Sequence, residues 1–440
     1  MFIQQNGLNY NFIFMKNCVF TIVATNYVGL AQALQKSIEK YNKDVDFYIV
    51  VADEPAGEVK SKLPCNVFVA KEILSYSDSK WYEMAFKYNL TEFCTAIKPA
   101  SIQYFFAKGY NKVIYFDPDI LTFDSLDFVW NKLNDYSAVV TPHILTAEVE
   151  YSGNLKEQRL LYSGVFNMGF GAFKQTRDVT NFLKWWKNRL EDYCFADSNL
   201  NLFTDQKWVD MLPCFLGTQL YVSRNKGMNV APWNFHERKV IQGTEKLKIG
   251  SRLLDEELDN LIFVHYSGYN YKSLISGEVI QQNISDIKQY EDIIVLFNEY
   301  GSALKQANIA AFIDQKYTYN YFSNHTYTIS LAVRRLFRGL VENGNDIENP
   351  FDCNSDFFNR LSSKGFVRKN QEFNSVVYNE QSQNTQKTIS RINTLFGFVF
   401  KIIGADRYYN LTRALRKYGI WENHSFLITK GTESYKFRRL

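Results

Sequence analysis

The sequence predicts an α/β protein: a mostly parallel sheet flanked by helices, followed by a mainly helical C-terminal region. Strand-like and helix-like segments alternate through the first half of the chain, which implies parallel pairing with both sheet faces covered. Polar clusters follow one strand after another, at the carboxyl ends where ligands bind in such sheets. From Ser285 onward the apolar residues recur at helical spacing instead.

In order, residues 19–24 read as a buried strand, residues 28–41 as a helix with Leu30, Ala33, Leu34 and Ile38 on one face, and residues 46–52 as a second strand. Residues 92–106 are expected to form one helix, and 112–116 and 137–141 to form strands. Gly164, Gly169 and Gly171 dot a further strand, where missing side chains permit close approach by a ligand. Residues 182–190, with Trp185 and Trp186, read as a helix, and residues 262–264 as a short strand ending at His265. Beyond them, 287–311, 329–340 and 388–403 carry helical patterns, 343–354 reads as a loop, and 370–388, rich in Asn, Gln and Ser, reads as a mobile connection. The expected division is an α/β domain over 15–283 and a helical region over 284–440 that ends in a basic tail.

Composition narrows the function classes. A net charge of +4 over 440 residues is too small to imply nucleic-acid binding. The six cysteines lie far apart without a Cys-x-x-Cys pair, which argues against a zinc ribbon and fits reduced core residues of a cytoplasmic protein. No apolar run is long enough to span a bilayer; the partly apolar stretch 9–24 is interrupted by Lys16 and Asn17, and reads better as a first strand than as a signal peptide. After Lys387 basic residues far outnumber acidic ones, with Leu395-Phe-Gly-Phe-Val-Phe400 interleaved. Such a segment suits either an anionic membrane surface or a solvated helix pair.

The chemistry concentrates in Lys112-Val-Ile-Tyr-Phe-Asp-Pro-Asp-Ile120, where a β-rich run delivers Asp117 and Asp119 to a strand's end with rigid Pro118 between them. Paired carboxylates suit a hard divalent cation on a diphosphate, and equally a polar turn after a buried strand. Three further clusters fall on the same rim and favour the site: Thr25-Asn26-Tyr27, Asp53-Glu54 and Thr141-Pro-His143. The segment Met228 to Arg238 adds Trp233, Asn234 and His236, which suit either the acceptor side of a sugar site or an ordered, buried loop.

Together these residues resemble GT-A glycosyltransferases, particularly glycosyltransferase family 8 and related enzymes of bacterial surface-polysaccharide clusters. The resemblance rests on Phe20-Thr-Ile-Val-Ala-Thr-Asn26, Glu92-Phe-Cys-Thr-Ala-Ile-Lys-Pro99, the Asp117-Pro-Asp119 strand, Phe166-Asn-Met-Gly-Phe170, Asp205-Gln206 and His265-Tyr-Ser-Gly268, and covers about residues 17–275. It implies a Rossmann-like nucleotide-binding GT-A fold and a metal-dependent transfer from a UDP-sugar to a saccharide or lipid-linked acceptor in surface glycan biosynthesis. By the same resemblance Asp117, Asp119 and His265 hold Mn²⁺ or Mg²⁺. Thr25, Asn26, Tyr27, Asp53, Lys98, Asp117, Gly268 and Lys272 bind the donor, with Asp53 accepting from the uracil and Tyr27 stacking on it. Asn167, Asp205 and Gln206 face the sugar's reactive carbon.

Retention is the implied outcome; in an inverting enzyme Asp205 would instead be the general base, and Asp205 also suits a helix cap. One departure is that Lys272 lies seven residues after His265, where family 8 has its lysine six residues on, which points to a relative with a different sugar. The partners expected are therefore the UDP-sugar and the glycan acceptor, with no nucleic acid and with peripheral contact at the inner face of the membrane through the basic tail. Two alternatives are an inactive nucleotide- or carbohydrate-binding protein of the same fold, and a nucleotidyltransferase. The latter is disfavoured because Thr25-Asn-Tyr-Val-Gly29 lacks a glycine-rich phosphate loop.

Overall fold

A computed structural model describes residues 16–430 apart from 283, 285–286, 308, 368 and 370–382. Residues 9–15 of the apolar stretch, most of the 370–388 connection, and Lys436, Arg438 and Arg439 of the basic tail lie outside the described residues. The chain packs as two compact units. One comprises Met1–Leu74, Cys94–Cys194 and Phe203–Gln315; the other comprises Ser75–Phe93, Phe195–Leu202 and Lys316–Leu440.

The first unit is built on a seven-stranded, mostly parallel sheet flanked by helices. Its spatial order is Leu220–Val222, Ala138–Val140, Phe170–Lys174, Lys112–Phe116, Asn17–Val23, Asp46–Val51 and Val67–Val69. Parallel pairs join Asn17–Val23 to both Asp46–Val51 and Lys112–Phe116, whereas Phe170–Lys174 runs antiparallel to both of its neighbours. The first strand is buried at every residue after Asn17, as expected of a central strand covered on both faces, where a continuous Val, Ile and Phe run replaces alternation. The helix Val28–Tyr41 buries Leu30, Ala31, Leu34 and Ile38 at helical spacing, and Leu34 and Ile38 join Val19, Ile49 and Ile114 of the sheet in one apolar core.

Two expectations need correction. Residues 92–106 form not one helix but two, Leu90–Ala96 and Lys98–Ala107, with Pro99 in the first turn of the second. Proline lacks the N–H that a continuing helix needs and is at home in a first turn. The division of the chain also differs from a break at 283. The helix Ile294–Gln306 belongs to the first unit because Leu296, Phe297, Tyr300 and Leu304 share a core with Leu30 and Ala33. Tyr300 stacks on Tyr266 at 3.9 Å, and the Tyr266 hydroxyl donates to the Leu296 carbonyl at 2.8 Å.

The second unit gathers its helices around an aromatic centre. Phe86 packs edge-on against Phe322, Phe337, Phe351 and Phe357. Ser77, Ser330 and Ser355 each cap the next helix, accepting from the backbone N–H three residues on. Arg334, 1% exposed, donates to the carbonyls of Ala85, Phe86, Tyr88 and Tyr319 and to Asn320 Oδ1. Its guanidinium thereby satisfies carbonyls at the C-terminal end of the helix Asp78–Lys87 that would otherwise be buried without partners.

Candidate metal centre

Two antiparallel pairings bring the three expected ligands together. Phe116 is opposite Phe170, and the Asp117 N–H continues that ladder to the Gly169 carbonyl at 2.7 Å. After the Pro118 turn the chain re-enters a short strand in which Ile120 is opposite His265, and the Tyr266 N–H donates to the Asp119 carbonyl at 2.8 Å. Asp117, Asp119 and His265 are thus set by backbone register, with one ligand atom from each lying within 4.8 Å of the others. His265 Nε2 is 3.2 Å from Asp119 Oδ1 and 3.8 Å from Asp117 Oδ2.

The surroundings orient these groups. His265 Nδ1 is 3.1 Å from Asn167 Oδ1; with the amide oxygen as acceptor, Nδ1 carries the proton and Nε2 faces the carboxylates with its lone pair free to bind a cation. The Tyr115 hydroxyl donates to Asp117 Oδ1 at 2.5 Å. Trp233 packs edge-on against both His265 and His143, with ring centroids 5.2 and 5.3 Å away. Burial alone depresses His265, but Asp119 and Asp117 outweigh it and hold the imidazole above its ordinary 6.5. Burial raises the Asp117 carboxyl, with Lys98 and His265 opposing. Two crowded carboxylates that raise the proton affinity of an imidazole beside them are a donor set in which a divalent cation can take the proton's place, so the residues fit a metal.

The other rim clusters fall where the strand ends place them. Thr25 begins a turn after the first strand, and its N–H and hydroxyl both donate to Asp53 Oδ1 at 2.8 Å, so that Asp53 ties two rim loops together. Asn26 keeps a buried Oδ1 without a hydrogen-bond partner. Tyr27 lies near Asp119, which with burial raises its phenol, and its ring meets Tyr271 at 5.7 Å. Gly268 takes φ 78°, a left-handed turn that favours glycine. Lys272 is exposed in the first turn of the helix Tyr271–Ser276, which Asn270 caps.

Lys98 is placed differently from a donor contact. It is 1% exposed and donates to Asp205 Oδ2 at 2.5 Å and to the Met168 carbonyl at 2.8 Å, with its ammonium 4.1 Å from the Tyr115 ring centroid. Asp205 is not a helix cap, for its side chain makes no capping hydrogen bond and its other oxygen accepts from the Thr204 hydroxyl. Gln206 spans two backbone groups, accepting from the Met168 N–H and donating to the Ser163 carbonyl. The pair Lys98–Asp205 and the amide of Gln206 therefore converge on the same Asn167-Met168-Gly169 segment that orients His265.

Several contributors were not legible as such. Gly169 does make room, but for a protein group: a Cβ there would lie 2.3 Å from His265 Cε1 and 2.9 Å from Asn167 Oδ1. Tyr115 lies within the continuous buried run of its strand and shows no sequence signal for its bond to Asp117. Asn234 is a buried turn residue bonded to the carbonyls of His143 and Asn229, and His236 sits 5% exposed beside Glu148, so the buried-loop reading of that segment holds for both.

No protein-family model matches the chain. The uncharacterized protein YfnF of Bacillus subtilis (strain 168) is 26% identical over 263 residues, 59% of this chain and 84% of that protein. Among solved structures, the galactosyltransferase LgtC in complex with donor and acceptor sugar analogues is similar over 66% of this chain and 96% of its own, at 16% identity and a TM-score of 0.39. The glycosyltransferase GlyE of Streptococcus pneumoniae TIGR4 is similar over 48% of this chain and 46% of its own, at 13% identity and a TM-score of 0.32.

Proposed function

We propose that the protein is a metal-dependent glycosyltransferase that moves a sugar from a UDP-sugar to a saccharide or lipid-linked acceptor with retention of anomeric configuration, in surface glycan assembly on the cytoplasmic side. The observation that carries this reading is the convergence of Asp117, Asp119 and His265 at the carboxyl rim of a parallel sheet, with His265 oriented by Asn167. Mn²⁺ or Mg²⁺ held there would neutralise the diphosphate and the charge developing on the departing UDP; an imidazole beside two carboxylates suits Mn²⁺ somewhat better.

In this reading the chain's own residues shape the rest. Thr25, Asn26 and Tyr27 cradle the nucleoside, supported by the unpartnered Asn26 oxygen and the Tyr27 ring beside Tyr271. Asp53 acts through Thr25 by fixing the loop, while Gly268 and Lys272 approach the phosphates. Asn167 presents its backbone and amide beneath the sugar, and Gln206 and the Lys98–Asp205 pair hold that segment rigid. Both Asp205 oxygens already accept hydrogen bonds and the residue is 2% exposed, which supports retention over a general-base role. The acceptor side is assigned to a cavity of roughly 340 Å³ beside Pro142, His143 and Leu160.

The test is nucleoside diphosphate release from a panel of nucleotide sugars with Mn²⁺, with EDTA, and with Asp119→Ala. Release from one UDP-sugar that is lost in both controls is the expected result. Absence of UDP binding in the presence of Mn²⁺ would overturn the reading, and UDP binding without release from any sugar in the presence of glycan acceptors would favour a binding protein of the same fold.

A further inference from the structure

The helical segment Gln383–Arg416 is organised unlike the helices around it. None of the described side chains from residue 385 to 419 is buried. Leu395, Phe398 and Ile402 are 60%, 61% and 66% exposed, and Ile392 and Phe400 are 45% exposed. A helix of a globular protein covers its apolar stripe against a core, and isolated exposed apolar residues need no explanation, but a contiguous group of this kind marks an interaction surface.

The segment is also not one straight rod. Gly404 has φ 75° and ψ 171°, outside the helical region. Phe396 and Phe400 lie 6.3 and 5.2 Å from the Tyr408 ring, whereas the twelve residues from 396 to 408 would span about 18 Å of continuous helix. The chain therefore folds back at Gly404 into a hairpin. Tyr408 covers part of its inner face, and Leu395, Phe398 and Ile402 are left outside.

Charge identifies the occupant. Between residues 385 and 417 the only acidic side chain is Asp406, against seven lysines and arginines that include Lys401, Arg407 and Arg413. A second copy of this hairpin would bring like charges together, and an acidic, phosphate-bearing plane with an apolar interior satisfies both the cations and the exposed rings. No helix among the described residues is long and apolar enough to cross a membrane. We propose that this hairpin docks the protein on the surface of a bilayer rich in anionic phospholipid. Leu395, Phe398 and Ile402 enter the acyl boundary and the flanking lysines and arginines lie among the phosphates.

The test is flotation of the full-length protein with vesicles of phosphatidylcholine alone and of phosphatidylcholine with phosphatidylglycerol in equal parts. It needs no sugar transfer, so its outcome is independent of the proposed enzymatic activity. The expected result is binding to the anionic vesicles that is at least about tenfold tighter than to the neutral ones and weakens as salt is raised. Because each cation near such a surface contributes roughly fivefold, the combined change Lys401→Gln, Arg407→Gln and Arg413→Gln should lower affinity on the order of a hundredfold. Phe398→Ser with Ile402→Ser should lower it at least about tenfold with Tm unchanged, since neither side chain is buried. Equal binding to both vesicle types, or none to either, would overturn the proposal. So would serine variants that convert a dimer to a monomer while vesicle binding stays as it was, which would assign the surface to a second copy.

Discussion

Replacing Gly169 with alanine should disable the proposed metal centre while leaving the fold standing. The backbone at Gly169 is not in the left-handed region, so alanine is conformationally permitted there and the effect is steric. Its Cβ would lie 2.3 Å from His265 Cε1 and 2.7 Å from Nδ1, against an ordinary carbon contact of about 3.5 Å. The strand cannot retreat easily, because the Gly169 carbonyl accepts from the Asp117 N–H at 2.7 Å. The imidazole must therefore shift by about 1 Å, away from Asn167 and out of line with Asp119, whereas metal–ligand distances tolerate about 0.2 Å. Overpacking of this kind costs about 1–3 kcal/mol of stability, and the displaced ligand should cost about 10- to 100-fold or more in Mn²⁺ affinity. Titration of Mn²⁺ by calorimetry, beside a denaturant melt, reads both. Gly171→Ala serves as the control, since its nearest neighbours are the flexible end of Met168 and the edge of Phe173, each at 3.0 Å. Wild-type Mn²⁺ affinity in Gly169→Ala would refute the assignment of His265 as a ligand in this geometry.

Other consequences are open to equally direct measurement. Lys98→Met leaves Asp205 buried without its counter-ion and should cost about 3–5 kcal/mol; adding Asp205→Leu should recover much of that in a urea melt without restoring turnover, and a double variant no more stable than the single one would contradict the pairing. Arg334→Leu strips donors from four buried carbonyls of the second unit, with an expected loss of about 3 kcal/mol or more, and a loss under about 1 kcal/mol would show those carbonyls to be satisfied otherwise. His143 is pushed by burial from 6.5 to about 4. Its neutral form is the folded one, so its contribution is fully present above about pH 6.5 and is lost at up to about 1.4 kcal/mol per pH unit as pH falls toward 4. Urea melts in EDTA should show that slope in the wild type and a shallower one in His143→Gln; identical slopes would place the proton elsewhere.

Much of the first unit was legible because its signals are local. The helix Val28–Tyr41 and the strand Lys112–Phe116 match the expected bounds to the residue, since a period of 3.6 or an unbroken apolar run is a property of neighbouring residues. The rim clusters were legible for the same reason: once strands are parallel, the residues just past each one share an end of the sheet. The break between Leu90–Ala96 and Lys98–Ala107 is also written locally, in Pro99.

By itself, then, the sequence determined the parallel α/β core, the rim on which the polar clusters sit, and the spacing that offers Asp117 and Asp119 to one ligand. Tertiary structure alone decided what those residues face. Lys98 and Asp205 are 107 positions apart, and nothing near either foretells that the lysine is spent on the aspartate and the Met168 carbonyl. Nor does local pattern say that His265 fills the space Gly169 leaves, that Asn167 settles its tautomer, or that Ile294–Gln306 joins the first unit because Tyr300 finds Tyr266. The reason is physical: periodicity records which side of an element is apolar, but the partner of a buried charge or ring is chosen by desolvation, which acts only when distant segments close over it.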